Sequence, residues 1–133
     1  MHSSGQIVER FYAVQRCFYA GQAVADELRE VLAEDVVWHV PGRSAIAGEY
    51  RGVDEVLAYF ARRRDRAGET FLVTGRGMLA EGERVVHFAD GEAELGGVRR
   101  SWRTVGIFRI AEGRIAECWL LPFDQYEFDE IWA

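Results

Sequence analysis

Apolar positions recur at helical spacing through most of the first half of the chain and at alternating spacing through most of the second. From Gln6 to Ala20, Ile7, Phe11, Val14 and Phe18 fall three or four residues apart while Glu9, Arg10 and Arg16 occupy other faces. This predicts an amphipathic helix ending near Gly21. A shorter helix is expected from about Ala25 to Ala33, where Leu28, Val31 and Leu32 share a side and Asp26 sits in the first turn. Val36 to Val40 is β-branched and aromatic and is halted by Pro41-Gly42, so it reads as a strand followed by a loop to Gly52. A third helix is expected from Glu55 to about Arg64, capped by Asp54, with Val56, Tyr59, Phe60 and Arg63 at three-and-four spacing. Beyond Gly68, four strands are expected over Thr70–Leu79, Arg84–Leu95, Arg99–Ile110 and Arg114–Phe123. Glu81-Gly82-Glu83, Gly96-Gly97 and Ala111-Glu112-Gly113 supply the hairpin turns. A tail from Asp124 to Trp132 offers Tyr126, Phe128, Ile131 and Trp132 to close one end of the sheet.

Helices first and a long antiparallel sheet afterwards is an α+β order, and the helices must cover the apolar face of the sheet. A strongly curved sheet cannot lie flat against them, which leaves a cone-shaped interior as the natural site. The length of 133 residues, with no linker-like stretch, suits one domain over 1–133, and 49% apolar composition provides a core. Aromatics reach 13%, including four Trp, so large flat side chains are available to line a concave site for an organic ligand.

Charge narrows the partners. The net charge of −6 argues against nucleic acid, and the basic run Arg62-Arg63-Arg64 is read as the solvated end of the third helix. No long uncharged apolar run and no leader-like N-terminus is visible, so neither a membrane nor export is expected and the protein is placed in the cytoplasm. Cys17 and Cys118 lack metal-type spacing and are read as buried thiols in a reducing compartment.

The order of elements, together with Asp35-Val-Val-Trp-His-Val-Pro-Gly42, Ala47-Gly-Glu-Tyr-Arg-Gly52 and Val56-Leu-Ala-Tyr-Phe60, resembles the nuclear transport factor 2-like superfamily, and within it the SnoaL-like and ketosteroid isomerase-related branch. The resemblance implies a conical α+β barrel, in which a strongly curved, mainly antiparallel sheet under N-terminal helices encloses a pocket, and a homodimer through the outer sheet face. It leaves the function open, because the superfamily includes isomerases, dehydratases, epoxide hydrolases, polyketide cyclases and non-catalytic members. Carrying over the isomerase's functional residues gives a negative result. The carboxylate base falls at Val40, the oxyanion-binding tyrosine at Val14, the protonated aspartate near Gly106 and the supporting tyrosine at Phe60. Without a base or an oxyanion donor at these positions, steroid isomerisation by that mechanism is rejected. Glu117, Trp119 and Asp124 resemble the acidic and aromatic residues ending the last strand of the polyketide cyclases, with the spacing off by about a residue.

Strand alternation then sorts the candidates. Trp38 and Val40 share the inner face and His39 the outer one, unless a bulge or one-residue slip turns His39 inward as a general acid/base. Trp102, Thr104 and Phe108 fall inside, while Arg103, Val105, Ile107 and Arg109 form an outer face suited to a dimer. The expected pocket lining is Val14, Phe18, Trp38, Val40, Phe60, Trp102, Thr104, Phe108 and Cys118. His39 and Asp124 are the candidates for proton transfer, although Asp124 also fits an ordinary helix N-cap. His87 is read as a hydrogen-bonded residue of the sheet, and Asp90, Glu92 and Glu94 as an exposed acidic row rather than a metal site. No nucleophile motif surrounds Ser44 or Ser101, no phosphate loop is present, and no cofactor or metal is expected. The sequence therefore points to a mainly apolar small-molecule ligand, cyclic or polyketide-like. The possible reactions are cofactor-independent isomerisation, cyclisation, dehydration or hydrolysis; the alternative is a non-catalytic ligand-sequestering or protein-interaction module.

Overall fold

Ser3 starts the first helix by a reciprocal cap. Its side-chain oxygen accepts from the Gln6 backbone at 3.2 Å, and the Gln6 side chain accepts from the Ser3 backbone at 2.8 Å. The computed structural model describes residues 2–133. Helix α1 (Ser4–Tyr19) is followed by α2 (Ala25–Val31), β1 (Leu32–Val40), β2 (Gly48–Arg51), α3 (Val53–Ala67) and a 3₁₀ turn over Gly68–Thr70. Four long strands come next, β3 (Leu72–Glu81), β4 (Arg84–Leu95), β5 (Val98–Ala111) and β6 (Arg114–Pro122), and then α4 (Gln125–Ile131). No helix among the described residues is long and apolar enough to cross a membrane.

The six strands form one sheet in the order β2-β1-β6-β5-β4-β3, antiparallel throughout except where β1 runs parallel to β6. The α+β class with a mainly antiparallel sheet is as expected, and the sheet is an open one with β2 and β3 at its edges. Register shifts interrupt β1/β6 between Leu32 and Val37, β3/β4 between Gly75 and Gly77, and β5/β6 between Arg109 and Ile110. Such bulges bend strands and increase their twist. Helices α1 and α3 bury their apolar stripes on the inner face, where Phe11, Trp38, Phe60 and Phe108 meet with ring centroids 5.3 to 6.2 Å apart.

Four local expectations are corrected. The segment after Pro41 contains strand β2, which has a single buried residue, Tyr50, and so carries little alternation. Asp54 does not cap α3: Gly52 holds that place with φ of 87°, and Asp54 lies inside the helix paired with Arg29. In the tail, Phe128, Ile131 and Trp132 pack inward, but Tyr126 is 91% exposed. Cys118 is buried and Cys17 only half-buried.

Trp132 is fully buried, with its ring 5.5 Å from Trp102 and 6.1 Å from Phe71, so the tail closes the interior from one end. Truncating a buried Trp leaves a cavity the surroundings fill only in part. Trp132→Ala is expected to lower the unfolding free energy by about 3–5 kcal/mol, read as a lower urea midpoint with an unchanged slope.

Candidate ligand site

The space between helices and sheet narrows to an inner cavity of about 20 Å³, lined by Tyr12 and Gln15 from α1, Trp38 from β1, Ile46, Arg63 from α3, Phe71, Val73, Gly91, Trp102, Thr104, Leu120, Phe128 and Trp132. That volume suits one or two water-sized groups. Outside it, a cleft of about 570 Å³ is lined by Thr74, Arg76, Asp90, Gly91, Glu92, Ser101, Trp102, Arg103, Phe123, Asp124 and Glu127. Gly91 and Trp102 belong to both spaces. They are cross-strand partners, and the Trp102 indole lies over Gly91 so closely that a Cβ there would come within 2.3 Å of its Nε1. The glycine thus makes room for an indole that stands between cleft and cavity.

Arg63 overturns the reading of Arg62-Arg63-Arg64 as a solvated helix end. It is 5% exposed, and its guanidinium carbon lies 4.5 Å from the Tyr59 ring centre, 4.8 Å from Phe71, 5.1 Å from Phe60 and 5.5 Å from Tyr19. Its neighbours are also stacked, Arg62 over Tyr50 at 5.1 Å and Arg64 over Phe18 at 4.1 Å. Removing a cation from water costs several kcal/mol, and each ring face returns about 0.5–2 kcal/mol. Ring faces do not satisfy donors lying in the guanidinium plane, and Arg63 Nε and Nη2 have no hydrogen-bond partner among the described residues. The same holds for Nε1 of Trp38 and of Trp132 and for the Tyr59 hydroxyl.

No carboxylate or imidazole lines the inner cavity. Burial pushes the Tyr19 phenol up to about 12 despite the nearby Arg63, and it moves Tyr12 and Tyr59 further in the same direction. Burial likewise raises the Cys118 thiol. All four stay protonated at neutral pH, which makes the interior a place for donors and apolar contacts rather than a source of a base.

Of the residues expected to line the pocket, Trp38, Trp102 and Thr104 border the cavity. Phe18, Val40, Phe60, Phe108 and Cys118 are buried in the packed core, and Val14 is half-buried at its margin. At Gly106 a Cβ would meet Phe108 at 2.8 Å and the Tyr12 hydroxyl at 3.4 Å, so aromatic groups fill the place of the isomerase aspartate. Tyr12, Gln15 and Arg63 were missed as lining residues. For Arg63 the signal was present in its three-residue step from Phe60 along the apolar stripe of α3.

His39 points to the outer face. Its Nε2 lies 2.6 Å from Glu117 and its Nδ1 3.3 Å from Glu49, with Trp119 stacked at 5.2 Å; Arg109 Nε donates to Glu117 at 3.3 Å. Asp124 caps α4, accepting from the Glu127 backbone at 3.1 Å, and borders the cleft. Arg76 and Arg99 neutralise Asp90 and Glu92 in the acidic row. His87 is not the hydrogen-bonded residue expected: it is buried, stacked on Tyr12 at 4.3 Å, and its Nδ1 has no partner among the described residues.

An open curved sheet roofed by helices, with its interior narrowed by aromatic side chains, defines a pocket-type α+β fold. Residues 8–118 match the SnoaL-like domain, and the chain belongs to that family. The Mycobacterium tuberculosis protein Rv0034 is 31% identical over 108 residues, covering 80% of this chain and 82% of its own. Among solved structures, Bal32a from a soil-derived mobile gene cassette matches with a TM-score of 0.88 at 31% identity, over 98% of this chain and 96% of that one. TerC, co-crystallised with polyporic acid, shares the fold with a TM-score of 0.79 at 20% identity, over 96% of both chains. Proteins described as NTF2-like have the same architecture, as the sequence resemblance implied.

Two groups link this geometry to pH. Burial lowers the His87 pKa below its ordinary 6.5 against a smaller opposing pull from Glu9. For Glu117, partial burial raises the pKa, but hydrogen bonds from His39 and Arg109 outweigh it and leave the carboxyl below its ordinary 4.5. Both folded values are depressed, so the stability each confers is complete above the unfolded value and is lost as pH falls through the folded one. Stability is expected to decline first below about pH 6.5 as His87 is forced to protonate, and again below about pH 4.5. In urea titrations across pH, His87→Phe should remove the first decline and Glu117→Gln should flatten the second. Unaltered limbs in both variants would contradict these assignments.

Proposed function

We propose that this chain binds a mainly apolar, ring-bearing small molecule that reaches the interior past Trp102. The observation carrying this reading is the indole shared by the inner cavity and the open cleft, backed by the aromatic walls Trp38, Phe71 and Phe128. Fold neighbours described as polyketide cyclases, and TerC, co-crystallised with polyporic acid, support this choice of ligand class. Binding is the primary function in this reading, because the inner cavity offers donors and apolar walls but no carboxylate or imidazole. Cofactor-independent isomerisation, cyclisation, dehydration or hydrolysis is the reaction range open to such a site, and Asp124, bordering the cleft, is our candidate for proton transfer. His39, on the opposite face of the sheet, is assigned to the outer network with Glu117 and Arg109.

Native mass spectrometry after incubation with steroids, polyketides and terpenoid epoxides tests the reading. A selectively retained compound is expected, with affinity changed at least tenfold by Trp102→Ala. Following that compound for conversion by wild type and Asp124→Asn then separates enzyme from binder. Protein that stays ligand-free across the whole library would overturn the proposal.

A second reading concerns the outer face, for which we propose a homodimer. Leu79, Val86, Ile107 and Trp119 are consecutive register partners across β3, β4, β5 and β6, forming an apolar row with Leu79 66% exposed. A second copy covering this row would remove it from water. Sedimentation velocity should give a dimer for wild type and a monomer for Ile107→Glu; a monomeric wild type at tens of micromolar would refute the interface.

A further inference from the structure

We propose that Arg63 is the anion-recognition residue of the ligand site and takes the carboxylate or acidic enol oxygen of the ring-bearing compound. The inference rests on the ligand-binding reading above and narrows its chemistry.

The argument is one of donors and acceptors. Guanidinium and indole N–H groups donate and never accept. Arg63 Nε and Nη2, Trp38 Nε1 and Trp132 Nε1 are buried with no partner among the described residues, and all three side chains line the same cavity. Arg63 makes no salt bridge with a described residue, and the rings packed around it, those of Tyr59, Phe60, Phe71 and Tyr19, carry no negative charge at neutral pH. An interior with this surplus of donors and a fixed positive charge is complementary to an anionic oxygen, which accepts several hydrogen bonds at once and suits the planar fork of an arginine. Size agrees. About 20 Å³ admits a head group and not a ring system, so the rings would lie toward Trp102 and the larger cleft.

The test uses two probes of one shape, 2-naphthoate and neutral 2-naphthalenemethanol, titrated calorimetrically into wild type, Arg63→Met and Arg63→Lys. Wild type is expected to bind the acid at least tenfold more tightly than the alcohol. In Arg63→Met the acid should fall to the affinity of the alcohol, with the alcohol itself changed less than twofold. Arg63→Lys keeps the charge without the fork and should retain part of the preference, which also covers a failure of Arg63→Met to fold. Equal binding of the two probes by wild type would overturn the inference while leaving the ligand-binding reading standing. Parallel loss of both probes in both variants would also overturn it, since Arg63 would then serve packing alone. Binding of neither probe would reject it too, and the compound library independently decides whether the pocket binds anything.

Discussion

The Arg63 guanidinium is the common neighbour of three parts of the fold. Tyr19 comes from the end of α1, Tyr59 and Phe60 from α3, and Phe71 from the residue leading into β3. Each ring presents its electron-rich face to the cation, so helix layer and sheet edge are joined through one charge as well as by apolar contact. A neutral residue of similar size would fill the space, but nothing would then hold the rings face-on or leave polar hydrogens at the cavity. The cation pulls the pKa of the surrounding phenols down, but their burial outweighs that pull and keeps them protonated. The interior is positive, donor-rich and apolar in one place.

The cone itself is largely filled. Phe11, Trp38, Phe60 and Phe108 pack ring against ring, and Tyr12 with Phe108 occupies the space over Gly106. Val40, Phe60 and Gly106 are therefore packing positions, and the remaining volume is displaced toward Trp102 and α4. The site and the stability of the core share side chains. Trp102 touches Phe71, Phe128 and Trp132 while forming the wall of the cleft, so a ligand that moves this indole must replace its contacts with its own rings.

Much of the fold was legible because its signals are local and periodic. Strands β4 and β5 alternate buried and half-buried residues over most of their length, and their boundaries follow from the glycine turns. Legibility failed where alternation is broken or short. The start of β1 was hidden because Ala33, Glu34 and Asp35 lie within a register shift, and β2 buries one residue in four. The site was harder to read for a different reason. Trp38, Trp102 and Thr104 followed from parity, yet Arg63 required weighing its place on an apolar stripe against its charge, and the usual cost of burying a cation favours the wrong answer. Only the surrounding rings reverse that balance, and two of them, Tyr19 and Phe71, come from other elements.

Parity also ties the two faces of the sheet together. Trp38 pairs with Cys118 toward the interior, while the next residue pair, His39 and Trp119, stacks on the outside. The outer network of His39, Glu49, Glu117 and Arg109 fixes β1, β2, β5 and β6 side by side. Rigid backbone there keeps Trp38 in place as a cavity wall. The opposite end of the sheet differs: β3 is an edge strand with Gly75 and Gly77 at a bulge. Gly91, the neighbour of β3 through Val73, carries no side chain beneath Trp102. The stiff side of the interior thus holds the Trp38 donor, whereas the side with fewer side-chain constraints is the one facing the cleft, where Trp132 and Phe71 pack on Trp102 and a ligand that enters must be accommodated.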